Sequence, residues 1–138
     1  QVRRAPALCP GGRRGVTKRI LVVDDDHDVR TLIAMSLSRV GGHDVRAAAS
    51  GSECMAELEQ WVPDVVVLDV MMPGMDGPAT LAAIRATPAV AEVPVVFLTA
   101  SVVEADMERL HSLPVSGVLG KPFDPMQLPT LLSELLGW

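Results

Sequence analysis

The chain has 138 residues, 49% of them hydrophobic and 21% charged. That is the size and composition of one globular domain, long enough to bury most of its apolar surface without disulfides. Its net charge of −5 is unevenly spread: residues 1–19 hold six of the twelve basic residues and no acid, and the remainder sets six basic against seventeen acidic residues, a balance of −11, which argues against nucleic-acid binding by the folded part and suits a site that attracts a divalent cation.

Residues 1–17 are rich in Pro, Gly and Arg and show no periodicity, which predicts a flexible basic leader before a domain over 18–138. "ILVV" (20–23) is a short continuous apolar run, read as a strand. "VRTLIAMSLSRV" (29–40) places Val29, Leu32, Ile33, Leu37 and Val40 at helical spacing, and "GGH" (41–43) stops that helix. "DVRAAA" (44–49) is a weak strand. Ser50 reads as an N-cap, with Glu53 completing a capping box, and opens a helix carrying Cys54, Met55 and Leu58 that ends near Trp61 and Pro63.

"VVVL" (65–68) is the second clear strand, followed by a Pro- and Gly-rich turn and a helix from about Pro78 to Arg85. "VPVVFL" (93–98) contains the third, "EADMERLHSL" (104–113) reads as a polar helix and "GVLG" (117–120) as a short strand. In "DPMQLPTLLSELLGW", Leu128, Leu131, Leu132, Leu135 and Leu136 form an amphipathic stripe. Pro125 suits a first helical turn after Asp124, whereas Pro129 is less comfortable and offers a later start. Five strands, most of them continuous Val/Ile/Leu runs, alternating with five helices predict an α/β fold with a parallel sheet covered on both faces. Aromatic residues are scarce, so the core is expected to rest on Val, Leu, Ile, Met and Ala, with the seven methionines as core filler.

Cys9 and Cys54 have no ligand-like spacing and read as free thiols. The apolar runs are too short to span a bilayer, and no apolar stretch follows the N-terminal arginines as a secretory signal requires. The expected location is the cytoplasm, with no membrane partner.

In an open parallel α/β sheet, function gathers outside the carboxyl ends of the strands. Asp24, Asp25 and Asp26 follow the first apolar run, Asp69 the second clear one, Thr99 the third and Lys121 the last; Lys121 is the one lysine from residue 20 onward. Clustered carboxylates raise one another's pKa values, a strain that a hard cation such as Mg²⁺ relieves. Asp69 is then a candidate nucleophile toward phosphorus, and Lys121 and Thr99 are candidates to hold the oxygens of an arriving phosphoryl group. Asp26 and Asp28 read as caps of the first helix, and Asp76-Gly77 as turn and helix-start residues. His27 invites a ligand role but is equally explained as an exposed loop residue. His43 and His111 have no evident partner, and Trp138 with the last leucines reads as core before a dimer face.

"ILVVDDD", "VVVLDVMMPGMDG", "VVFLTA" and "GKPF", in this order and spacing, resemble the receiver domain of bacterial two-component response regulators over roughly residues 18–138. The resemblance implies a single doubly wound, flavodoxin-like (βα)5 domain with strand order 2-1-3-4-5. It implies Asp69 as phosphoacceptor; Asp25 as a direct Mg²⁺ ligand with Asp24 assisting, through water; and the main-chain carbonyl of Met71 as a further ligand. It also implies a phosphoryl contact from Thr99, a phosphate partner in Lys121 with a cis bond to Pro122, and room for the phosphoryl group beside Ala100. The partners implied are a sensor histidine kinase or phosphotransfer protein and a downstream protein, with a homodimer possible. Such a domain is a switch that assists its own phosphorylation and dephosphorylation rather than an enzyme.

Two departures stand out. Val118 takes the place where family members often carry an aromatic ring that turns inward on activation. Met71 and Ser101 occupy the positions at which the family tunes dephosphorylation, and a methionine there is expected to impede the hydrolytic water. Alternatives are a receiver cut from a longer regulator or hybrid kinase; a Mg²⁺-dependent aspartyl-phosphate phosphatase, which Met71 disfavours because those enzymes place a second acid there; and an FMN binder, disfavoured because three consecutive acids repel a phosphate.

Overall fold

The computed structural model describes residues 17–100 and 104–138. The predicted leader, Cys9 and Ser101 lie outside them, Thr17 excepted. The elements run β1 (Arg19–Val23), α1 (His27–Met35), β2 (Asp44–Ala48), α2 (Gly51–Leu58), β3 (Val65–Asp69), α3 (Gly77–Arg85), β4 (Val95–Thr99), α4 (Glu104–His111), β5 (Gly117–Gly120) and α5 (Leu128–Leu136). All strands pair in parallel, in the order β2-β1-β3-β4-β5.

Alternation along each buried strand divides the core in two. Leu21, Val23, Val66, Leu68, Val95 and Phe97 face one side, where Cys54 and Leu58 of α2, Leu81 and Ile84 of α3 and Leu110 of α4 close over them. Ile20, Val22, Val65, Val67, Val96 and Leu98 face the other, under Ile33 and Leu37 and under Leu128 and Leu132 of α5. A sheet apolar on both faces must be covered on both, so the continuous Val/Ile/Leu runs are the sequence form of this sandwich. β2 lies at the sheet's edge and buries only Ala48 fully, which accounts for its weak signature. Despite the scarcity of aromatics, Phe97 is fully buried at the centre.

The helices depart from their predicted stripes in two places. The α1 segment ends in a π turn, Ser36–Val40. The wider turn leaves Val29, Ile33 and Leu37 toward the sheet and turns Val40 outward, and Leu32 is exposed as well. α5 starts at Leu128, next to Pro129 near its first turn, where the missing N–H costs nothing. Its row at i, i+4 and i+8 (Leu128, Leu132, Leu136) packs inward with Pro129, whereas Leu131 and Leu135 are partly exposed. The methionines are not uniformly core filler: Met72 is buried, but Met35, Met71 and Met126 are exposed.

Of the predicted caps, Asp26, Asp76 and Ser50 form, whereas Asp28 lies inside the first turn of α1. Asp26 accepts from the N–H groups of Asp28 and Val29, Asp76 accepts from Ala79 and Ser50 accepts from Glu53. The Glu53 carboxylate reaches back to the Ala49 N–H, one residue before the usual capping-box partner.

Candidate functional site

The carboxyl ends of β1, β3 and β5 bring Asp24, Asp69 and Lys121 into contact. Lys121 Nζ donates to Asp24 Oδ2 at 2.9 Å and to Asp69 Oδ1 at 3.1 Å. One carboxylate oxygen from each of Asp24, Asp25 and Asp69 lies within 4.8 Å of the other two. Asp24 is fully buried and Asp69 is 5% exposed, whereas Asp25 is open to solvent. Thr99 ends β4 and is buried; its register partner on β5 is Gly120, the residue before Lys121. The Lys121–Pro122 bond is cis.

Asp69 is held by a fully buried strand rather than by a loop. The turn after it is pinned at both ends. Gly74 has φ +77°, a left-handed conformation that suits glycine. Gly77 donates to the Val70 carbonyl at 2.8 Å, and a Cβ on Gly77 would come within 2.7 Å of Val70 Cα and 2.8 Å of the Asp69 carbonyl oxygen. The start of α3 therefore presses directly on the end of β3, and this fixes the loop that carries Met71. The Met71 side chain is 74% exposed, so it adds no buried apolar contact at the site.

Burial raises the pKa of Asp69, and the neighbouring Asp24 charge raises it further; the Lys121 ammonium and the Met71 N–H oppose this without cancelling it. Burial also works against the Lys121 charge, but bonds to two carboxylates outweigh it, and its pKa is raised. Two acids share one ammonium, so the cation is over-satisfied, and for Asp69 half of one ion pair does not offset burial and the Asp24 charge. With Asp25 added, the cluster carries surplus negative charge.

Hard oxygen donors in this number fit a hard divalent cation. Asp24 already spends Oδ1 on the Asp26 N–H at 2.9 Å and Oδ2 on Lys121, which leaves the exposed Asp25 freer to ligate. His27 is exposed and its Nδ1 takes the Arg30 guanidinium at 3.1 Å, so it is turned to that cation. Cys54 is a free thiol buried in the core, its pKa pushed up to about 12 by burial, which makes it inert.

Val118 is buried beside its register partner Phe97, within the core face under α2, α3 and α4. A valine here belongs to the packed interior and has no ring to swing.

Contacts of two residues escaped the sequence. His43 Nδ1 accepts from the Lys18 N–H at 3.1 Å, and its ring meets Trp138 edge-on at 5.4 Å. Arg30, on the site side of α1, donates to the Asp24 carbonyl at 2.8 Å. A charged residue four places after an N-cap reads from sequence as solvated helix surface, and nothing in the local pattern marks it otherwise.

Comparison with known proteins agrees with this fold. Residues 20–133 match the family model described as the response regulator receiver domain. The chain is 37% identical over 119 residues to the transcriptional regulatory protein GltR of Pseudomonas aeruginosa, covering 86% of this chain and 49% of GltR. It is 34% identical over 121 residues to the alkaline phosphatase synthesis transcriptional regulatory protein PhoP of Bacillus subtilis, covering 88% and 49%. The chain thus spans about half the length of these curated relatives. Among solved structures, the chemotaxis response regulator CheY4 of Vibrio cholerae superposes with a TM-score of 0.79 at 28% identity, covering 87% of this chain and 99% of CheY4. Among the described residues, no helix is long and apolar enough to cross a membrane. The five-stranded order and the match over residues 20–133 point to one family, and the chain is a member of it: a receiver domain of the two-component response regulators.

Proposed function

We propose that this receiver is a switch in which Asp69 accepts a phosphoryl group from a phosphohistidine on a sensor histidine kinase or phosphotransfer protein, in the cytoplasm and with Mg²⁺ as cofactor. The convergence of the Asp24, Asp25 and Asp69 carboxylates within 4.8 Å, bridged in part by Lys121, carries this reading. Asp25, Asp69 and the Met71 carbonyl would hold the metal directly, with Asp24 behind them. Bound there, Mg²⁺ neutralises charge on the phosphoryl oxygens and lets a carboxylate approach phosphorus.

An Asp69 carboxylate oxygen forms the new bond to phosphorus as the P–N bond to the donor imidazole breaks. The electron pair returns to the ring nitrogen, which takes a proton from solvent. Lys121 exchanges a carboxylate for a phosphoryl oxygen, and the Thr99 hydroxyl donates to another. The exposed Ala100 leaves space beside them. The same residues hold a water for the return hydrolysis, so the domain assists both directions without turning over a separate substrate. Readout is a population shift of the face built from α4, β5 and α5, which changes the protein it binds.

The test is incubation with acetyl phosphate and Mg²⁺, followed by intact mass. A labile phosphoryl adduct is expected, lost with EDTA and in Asp69→Asn. A wild-type chain that takes up no phosphoryl group under these conditions would sink the proposal.

A further inference from the structure

Arg30 is the one cation of α1, and its guanidinium does not point to solvent. Nη1 donates to the main-chain carbonyl of Asp24 at 2.8 Å and Nη2 contacts Nδ1 of His27 at 3.1 Å. Arginine has no acceptor, so His27 Nδ1 accepts here, and the ring carries its proton on Nε2.

The carbonyl that Arg30 holds lies where the sheet stops. The pairing of β1 with both neighbours ends at Val23, opposite Ala48 and Leu68. Asp24 still donates its N–H to Ala48 O at 3.2 Å, but its C=O lies past the ladder, and the chain beyond β2 turns away at Ser50 to cap α2. Arg30 supplies the donor.

The peptide unit concerned joins Asp24 to Asp25. It is planar, so fixing its oxygen fixes the position of Asp25 Cα as well. On the far side of Asp25, Asp26 is anchored twice: its N–H donates to Asp24 Oδ1 at 2.9 Å, and its carbonyl accepts the Arg30 N–H at 2.9 Å. Asp25, the exposed acid of the cluster, is thus held from both sides: by the Arg30 guanidinium through the Asp24 carbonyl, and by the Asp24 carboxylate and the first main-chain bond of α1 through Asp26.

We propose that Arg30 is a positioning residue for the metal site: by holding the Asp24–Asp25 peptide it aims the Asp25 carboxylate at the point where Asp69 and Asp24 converge. This role presupposes the metal site proposed above. The sign of the effect separates it from plain electrostatics. A guanidinium beside an acidic cluster repels a divalent cation, so if charge alone mattered, removing it would tighten Mg²⁺ binding. Lost positioning weakens binding instead, by about tenfold, the lower end of the range for supporting groups around metal ligands.

The experiment is an MgCl₂ titration of the full chain, followed by backbone amide NMR shifts, for wild type, Arg30→Met and Arg30→Lys, with urea unfolding of each in EDTA to confirm that all three fold. Arg30→Met is expected to raise the Mg²⁺ Kd about tenfold. Arg30→Lys, which keeps the charge and a long-reaching donor, is expected to recover most of that loss. Equal or tighter binding by Arg30→Met overturns the role, as does a lysine variant no better than the methionine one. A wild-type chain showing no Mg²⁺-dependent shift would sink the metal site itself, and this role with it.

Discussion

Lys121 Nζ sits 3.1 Å from Asp69 Oδ1, yet the pKa of Asp69 is raised, not lowered. The ion pair is outvoted by burial and by Asp24, which takes the same ammonium at 2.9 Å. The folded chain therefore holds Asp69 at a cost while no cation relieves it, as is common at sites built for binding.

Replacing that carboxylate with a neutral isostere should stabilise the fold in the absence of metal. The amide introduced by Asp69→Asn keeps an oxygen for Lys121 and removes the repulsion with Asp24. The native state binds a proton on Asp69 at higher pH than the unfolded chain does, so wild-type stability rises as pH falls through the raised pKa. Urea unfolding in EDTA should show Asp69→Asn more stable at neutral pH, with the gap closing on acidification. A gap that widens as pH falls would contradict the assignment.

Mg²⁺ should stabilise the wild-type chain saturably, by about 2.7 kcal/mol at a hundredfold excess over its Kd if it binds only the native state. Asp25 is exposed, so Asp25→Asn should change metal-free stability by no more than about 0.5 kcal/mol while removing most of the Mg²⁺ effect. Thermal unfolding with and without MgCl₂ measures both. Undiminished stabilisation of the variant would remove Asp25 from the ligand set.

His43 gives a second, opposite pH dependence. Burial lowers its pKa from the ordinary 6.5, Lys18 lowers it further, and Asp64 partly offsets this. Its Nδ1 accepts the Lys18 N–H, a bond that protonation there would break. The unfolded chain takes up the proton first, so this contribution is complete above about pH 6.5 and is lost as pH falls toward the lowered value. In His43→Asn, whose oxygen can replace Nδ1 as acceptor, stability should fall less steeply between about pH 7 and 5. Identical slopes in the two proteins would contradict the assignment.

Arg85 staples the far end of α3. Its Nη1 donates to Ala91 O at 3.1 Å and Val93 O at 2.7 Å, and Nη2 to Pro114 O at 2.8 Å, tying α3 to the loops before β4 and β5. Arg85→Ala should cost about 2 kcal/mol in urea unfolding, given that charged hydrogen bonds contribute more than neutral ones. Arg85→Lys should recover less than half, because an ammonium lacks the planar fork. A loss under about 0.5 kcal/mol would assign those carbonyls to solvent instead.

The residues that sequence reading placed are those whose location follows from position along the chain. Asp24, Asp69, Thr99 and Lys121 each terminate an apolar run, and in a parallel sheet the ends of such runs share one edge. The caps at Asp26, Ser50 and Asp76 were legible for the same reason, being set by the next three residues. Arg30 and His43 were not, because their partners are a strand-end carbonyl and a ring 95 positions later, pairings that only the folded chain creates. The outward turn of Val40 follows from a π turn that no spacing announced. The partial exposure of Leu131 and Leu135 reflects an apolar stripe on α5 wider than the face it packs on.

Whether Asp69 carries the phosphoryl group is decided most directly by locating it. The chain phosphorylated with acetyl phosphate and Mg²⁺ is reduced with borohydride, which converts an acyl phosphate to the alcohol, and its peptides are sequenced by mass spectrometry. Homoserine at position 69 is the predicted result; reduction at Asp24, Asp25 or Asp26 with position 69 unchanged would contradict it.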